Sequence, residues 1–260
     1  MKIAILGTGH MGLWLIKEMS LHHQICVFDS DKTKTKKIRN INVLKDYAGL
    51  KKSKPELLIN TVSLKNTVEA FMSAIPYLSS QCLLADMASV KGRIPEFYRS
   101  SGFSYVSIHP MFGPTFANVE DMAEENVILI KESATKGKLF FRDFFARLKL
   151  NIFECSFEEH DRTIAYSLTL PFASSMVFAA CMKTSAVPGS TFKKHRDIAR
   201  GLLSEDNFLL SEILFNPHSL PQLEKVSSML EFLKHVIREK DEEEAHKFFQ
   251  RLRENIKVEP

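Results

Sequence analysis

The chain has 260 residues, 45% apolar and 25% charged, with a net charge of only +4, an ordinary balance for a soluble protein of about two domains. Its basic excess is local, in Lys32, Lys34, Lys36, Lys37 and Arg39 and again in Lys193, Lys194, His195, Arg196 and Arg200. Nucleic acid, which favours a broad basic face interleaved with aromatics, is therefore not expected as a partner. The four cysteines, Cys26, Cys82, Cys155 and Cys181, are far apart with no C-x-x-C pair, so they read as small buried apolar residues rather than a disulfide framework.

Met1-Lys2 leads directly into the apolar Ile3-Ala4-Ile5-Leu6, without the charged, apolar and cleavage regions of a signal peptide. A cytoplasmic location is the expectation. No apolar run approaches the roughly 20 residues of a membrane span, so no membrane partner is expected.

Short β-rich runs at 2–6, 24–29, 57–61 and 82–86 alternate with helical periodicity at 11–19, 32–39, 67–78 and 94–100, the pattern of βαβ units in a parallel sheet. Further strands are expected at 105–108, 127–130 and 151–154, with a helix at 135–148. This α/β domain, 1–155, carries Gly7-Thr8-Gly9-His10-Met11-Gly12 between its first strand and first helix, the position of a dinucleotide-binding turn. There the first glycine permits the tight turn, the second admits the pyrophosphate, and the third allows close helix–strand packing. Asp29, 17 residues after Gly12, suits the acid that hydrogen-bonds an adenine-ribose 2′-hydroxyl and repels a 2′-phosphate. It also suits a plain strand-ending turn. NAD is the expected cofactor, although Lys32 and Lys34 follow the acid and could reach a phosphate. The fold class is thus a Rossmann-type, doubly wound, mostly parallel sheet, with Gly7, Gly9, His10, Met11, Gly12 and Asp29 at the cofactor.

From Ser156 onward strand signals stop. Ser156 and Glu159 form a capping-box pattern that opens a helix apolar on most faces, from Ile164 through Leu168, Phe172 and Met176 to Phe178, with a kink expected at Pro171. After a loop at 187–190 come helices near 197–203, 206–214, 221–240 and 242–255. Residues 156–260 read as an all-α domain, too small to cover so apolar a helix alone, and a homodimer sharing it is expected.

Two further segments, Asp86-Met-Ala-Ser89-Val-Lys91-Gly92 and His109-Pro-Met-Phe-Gly113-Pro114, fall at the carboxyl ends of expected strands, where open parallel sheets place ligands. Together with Glu159-His160-Asp161 and Arg200-Gly-Leu-Leu-Ser-Glu-Asp206, they resemble the prephenate dehydrogenase family, arogenate-using members included. The resemblance implies oxidation of the ring carbinol of prephenate by hydride transfer to NAD+, with loss of the ring carboxylate as CO2, giving 4-hydroxyphenylpyruvate in tyrosine biosynthesis.

His109 sits where the family has its catalytic histidine, and an imidazole titrates in the range a general base needs. Pro110 and Pro114 are expected to stiffen its loop. Ser89 resembles the family serine that hydrogen-bonds this histidine or the substrate hydroxyl, and is also a natural helix N-cap. Arg200 matches the family arginine that binds a substrate carboxylate with its guanidinium fork, with Arg196 and Lys193 as alternatives. Lys91 either holds a second carboxylate or flanks the loop in solvent. His160 matches a substrate-site histidine, and equally a residue of the helix cap. The family's histidine-leucine-proline-histidine stretch is here Thr169-Leu-Pro-Phe172, so roles assigned to its two histidines do not carry over. No metal is expected: His22-His23 and the cysteines lack ligand spacing.

Overall fold

The structure is a computed structural model that describes residues 1–36, 38–112, 122–183, 187–205 and 207–257. It divides into two units, Met1–Ile164 with Glu205–Asn216, and Ala165–Ser204 with Pro217–Pro260. The division expected between residues 155 and 156 falls ahead of this one. The first unit also takes in the helix Phe157–Ile164, whose His160 and Ile164 are fully buried, and a later helix returns to it.

The first unit runs β1 (Lys2–Leu6), α1 (His10–Met19), β2 (Gln24–Phe28), α2 (Lys32–Thr35), β3 (Asn42–Val43), α3 (Gly49–Ser53), β4 (Leu57–Asn60) and α4 (Thr67–Ala74). It continues with β5 (Leu83–Asp86), α5 (Ile94–Ser101), β6 (Tyr105–Pro110), β7 (Asn126–Ile130), α6 (Thr135–Arg147), β8 (Asn151–Cys155) and α7 (Phe157–Ile164). The strands form one sheet in the order β3-β2-β1-β4-β5-β6-β7-β8. All neighbours are parallel except β6 and β7, which run antiparallel. Each expected strand is present. The two-residue β3 and the five-residue α3 are additions, too short to leave a periodic trace in the sequence.

Alternation along β1 builds the two cores. Ile3 and Ile5 face one layer with Trp14, Leu15, Phe141 and Phe145, while Ala4 and Leu6 face the other with Leu50, Phe71, Phe97 and Tyr98. Because helices cover both faces, the central strands are apolar on both sides rather than alternating, with polar residues such as Asn60 and Asp86 at their carboxyl ends.

The second unit contains α8 (Leu170–Cys181), α9 (Ser190–Leu203), α11 (Ser219–Glu239) and α12 (Glu242–Lys257), while α10 (Asn207–Leu214) belongs to the first. Helix α9 begins seven residues before the expected start at 197, and the expected helix start at Asp206 lies outside the described residues. Instead of a simple break at Pro171, the chain forms a π-helical stretch, Ala165–Thr169, with the proline in the first turn of α8.

The expectation that no stretch approaches the length and apolarity of a membrane span is corrected. The helical run Phe157–Cys181 is long and apolar enough, by length and composition, to cross a membrane, with 22% of its most apolar window buried. A contiguous-run criterion passes over it because Ser167, Thr169, Ser174 and Ser175 interrupt the apolar residues.

Candidate active site

The strand order reverses direction between β1 and β4, and the crevice outside their carboxyl ends is where such sheets hold ligands. A cleft of about 590 Å³ opens there, lined among others by Gly7, Gly9, Asp29, Lys34, Tyr47 and Thr61. Gly7 has φ +89° and donates to Phe28 O at 2.9 Å, a left-handed conformation that suits glycine. A Cβ at Gly12 would collide with the Gly7 carbonyl, so α1 could not sit this close to β1 with any other residue. Gly9 lines the cleft, and among the described residues nothing outside its own turn lies within 4 Å of where its Cβ would stand. It is the N-cap of α1 and has no side chain to cap the helix itself, so the positive end of the helix faces the cleft at a residue without a side chain of its own. His10 is exposed at the first position of α1, and Met11 packs partly against the core. These features fit a dinucleotide's phosphates.

Asp29 does more than the sequence implies. Its Oδ2 accepts from Thr8 N at 2.7 Å and from Thr8 Oγ1 at 2.8 Å, and its Oδ1 accepts from Asp31 N at 2.9 Å. The acid therefore ties the glycine turn to the end of β2, with acceptor capacity left on Oδ1 for a hydroxyl in the cleft. Lys32 is drawn away by the carbonyls of Asp29 (3.3 Å) and Lys45 (2.7 Å) and lies 4.5 Å over the Phe28 ring. Lys34 lines the cleft.

Lys91 is neither a solvent-facing flank nor a cation presented to a ligand. It is fully buried, donating to Asp86 Oδ2 at 2.8 Å and to Ile108 O at 2.7 Å. Asp86, also fully buried, accepts from Tyr98 Oη at 2.8 Å through Oδ1. Burial pulls the lysine down while Asp86 pulls it back up. Burial first, and then the Asp86 charge, push the Tyr98 phenol well above its ordinary value. Breaking such a pair from one side is costly because the remaining charge has no water to turn to.

His109 is the fifth residue of β6, opposite Ile128 of β7. Because β1, β4, β5 and β6 are parallel, it stands on the same edge of the sheet as the glycine turn. Its Nδ1 lies 3.0 Å from His160 Nε2, the rings meeting edge to face at 62°. His160 Nδ1 in turn lies 3.0 Å from Asp161 Oδ1. The ring of His160 is placed by the start of α7. Ser156 N donates to Glu159 Oε2 at 2.7 Å and Glu159 N to Ser156 Oγ at 3.1 Å, a closed capping box. His160 N donates to Ser156 O at 2.8 Å. Burial, then His160, then the Lys91 ammonium hold the His109 imidazole well below the ordinary 6.5. Burial also lowers His160, against the raising effect of Asp161.

Residues 14–142 match the family model described as the nucleotide-binding domain of prephenate dehydrogenase. These residues are a nucleotide-binding domain of the prephenate dehydrogenase family. A probable arogenate/prephenate dehydrogenase of Methanocaldococcus jannaschii is 22% identical over 205 residues, 73% of this chain and 45% of that protein. The chain thus spans about half the length of the curated relative it matches. Among solved structures, prephenate dehydrogenase from Aquifex aeolicus, in complex with hydroxyphenyl propionate and NAD+, superposes with a TM-score of 0.83 at 19% identity, covering 98% of this chain and 96% of that one. Synechocystis arogenate dehydrogenase gives 0.77 at 17% identity, covering 98% of both chains. At these identities the likeness is one of fold.

The remaining positions matched to the prephenate dehydrogenase pattern fall in two places. Ser89 is half-buried in the loop after β5, and among the described residues it makes no hydrogen bond to His109. Nor does it cap α5, whose N-cap is Arg93. Arg200 is exposed on α9 in the second unit, its Nη1 3.7 Å from Asp197 Oδ1. Arg196 shares that carboxylate, its Nε at 3.5 Å. Gly113 and Pro114 lie outside the described residues. Sequence reasoning missed Asp86 and Asp161 as partners. Asp161 had a local signal, a carboxylate directly after a histidine in a capped first turn. The bond between Asp86 and Lys91 had none, since a spacing of five in a loop implies no contact.

Proposed function

We propose that this chain is an NAD-dependent dehydrogenase that oxidises and decarboxylates prephenate or its amino counterpart arogenate, a step of tyrosine biosynthesis. The observation that carries the reading is a buried histidine, depressed toward its neutral form, at the carboxyl end of β6 on the edge of the sheet that bears the glycine turn. NAD would be held by Gly7, Gly9, the start of α1 and Asp29, and supplies the two-electron acceptor. His109 takes the proton leaving the substrate hydroxyl as that oxygen becomes a carbonyl. The ring carboxylate then departs as CO2, its bonding pair aromatises the ring, and the proton returns to oxygen. A neutral imidazole in a dry site suits both directions of that transfer. Arg200 offers a bidentate fork for one substrate carboxylate.

Asp29 favours NAD over NADP, and Lys34 in the same cleft is the residue that works against that preference. The helical unit supports a homodimer. Helix α8 is apolar on most faces yet buries only Ala173, and a second copy would cover it. The test is an NADH assay with prephenate and with arogenate, each with NAD+ and NADP+. NADH formation with one of the two substrates is expected. Measurable NAD+ binding without turnover of either would overturn the reading.

A further inference from the structure

We propose that Asp161 and His160 are positioning residues that hold His109 in a single tautomer, with its proton on Nδ1 and its Nε2 lone pair free for the substrate hydroxyl. The inference rests on the reaction assigned above for its catalytic meaning, but its structural content does not.

An ionised carboxylate only accepts, so the 3.0 Å contact between Asp161 Oδ1 and His160 Nδ1 requires a hydrogen on that nitrogen. The reverse tautomer would set a lone pair against the carboxylate. A neutral imidazole has one N–H, and His160, fully buried, is pushed to the neutral form. Its Nε2 is then an acceptor. At 3.0 Å from that acceptor, His109 Nδ1 must be the donor, and since His109 is itself driven neutral by burial, its Nε2 carries a lone pair. Among the described residues nothing in the chain hydrogen-bonds that nitrogen.

The charged groups facing the two rings leave this order intact. The Lys91 ammonium, bound to Asp86 and to the carbonyl of Ile108, the residue before His109, adds to the burial that keeps both rings neutral. Among the described residues, Asp161 is the carboxylate in hydrogen-bond contact with the pair of rings. When Nε2 takes the hydroxyl proton, the new positive charge sits on a ring whose Nδ1–H still donates to His160, and the Asp161 carboxylate lies one ring further along. The same chain that selects the tautomer therefore steadies the imidazolium. A free imidazole would divide between two tautomers, only one of which could accept from the hydroxyl at a given nitrogen.

Two measurements test this. In 15N-histidine-labelled protein without substrate, two-bond nitrogen–proton correlations near pH 7.5 should show His109, assigned by the loss of its signals in His109→Asn, in the Nδ1–H form. Asp161→Ala should introduce the Nε2–H form. A wild-type His109 in the Nε2–H form overturns the proposal. In turnover, His160→Phe should lower kcat by about 10- to 100-fold with KM within about twofold. His160→Gln, whose Oε1 can accept the same bond, should recover most of the loss. Equal loss in the Phe and Gln variants, both folded by circular dichroism, overturns it too. If the wild type turns over neither substrate, the assigned reaction falls, and the tautomer measurement alone decides the positioning role.

Discussion

In the first unit Ile3, Ile5, Leu57, Leu58, Leu84 and Val106 are all at 0–1% exposure, whereas the second unit leaves Tyr166 at 62%, Ile198 at 62%, Leu220 at 63% and Ile237 at 73% and buries mainly Ala165, Ala173, Ala199, Val236 and Phe248. At about 25 cal/mol per Å² of apolar surface removed from water, the sheet unit has the means to hold itself together. The helical unit keeps much of its apolar surface unused within one chain. The polar interior divides in the same way. Asp86, Lys91, His109 and His160 are all buried in the first unit, where charges act through a poorly screening medium. The candidate cation of the second unit, Arg200, is 71% exposed. The first unit holds its polar groups still in its interior, and the second presents surface.

The harshest test of that contrast is Lys91→Ala. It leaves the Asp86 carboxylate buried without its cation, and the first unit should lose about 3–5 kcal/mol in urea denaturation. Lys91→Met with Asp86→Leu, which removes both charges, should lose much less. A small loss from the single change would mean that water reaches this pair and that the interior is not dry.

His109→Asn probes the same interior through chemistry. With the base removed and its volume kept, kcat should fall by about 10²- to 10⁴-fold while KM changes little. A comparable rise in KM instead would make His109 a binding group.

The sheet and its glycine turn were legible in the sequence because each is announced locally, by apolar runs of strand length and by glycines at fixed offsets. Legibility failed where two distant residues meet. Lys91 reads as a loop cation until β6 brings the Ile108 carbonyl to it from 17 residues away. His109 and His160, 51 residues apart, each look like lone histidines until β6 and α7 pack together. Ser89 shows the converse. A family pattern names it, but its place in the loop gives it no bond to His109 among the described residues.

Arg200→Ala carries the comparison into the second unit. An exposed guanidinium adds little to stability, so unfolding should be unchanged, while losing a charge-assisted fork should raise KM by roughly 10-fold or more with a smaller effect on kcat. An unchanged KM moves the carboxylate site to another residue, with Arg196 and Lys193 next to be tested.

A gentler test is pH. His109 and His160 are held below 6.5 in the folded chain by burial, whereas in the unfolded chain they titrate near 6.5. Above 6.5 neither state binds the proton and the pair contributes no pH dependence. As pH falls below 6.5 the unfolded chain takes up protons first, so stability drops until the folded-state values are passed. Urea midpoints measured from pH 8 to pH 5 should fall below 6.5 in the wild type, and fall less in His109→Asn. For the same reason the acid limb of kcat/KM should lie below 6.5, since the free base is already neutral there.

The smallest effect expected on the first unit comes from changing the second. Val177 on α8 is 48% exposed, and Val177→Asp places a charge on the face assigned to the second copy. If that face is shared, light scattering should show a change from twice the chain mass to the chain mass, because a carboxylate buried in an apolar interface without a partner is strongly unfavourable. NAD+ affinity should stay within about twofold, since Gly7, Gly9 and Asp29 all belong to the sheet unit and are fixed by bonds within it. A variant that keeps its mass would place the interface on another face of the helices. One that loses NAD+ binding with its mass would show that the sheet unit depends on the helices, and the contrast between a self-sufficient unit and a surface-presenting one would fail.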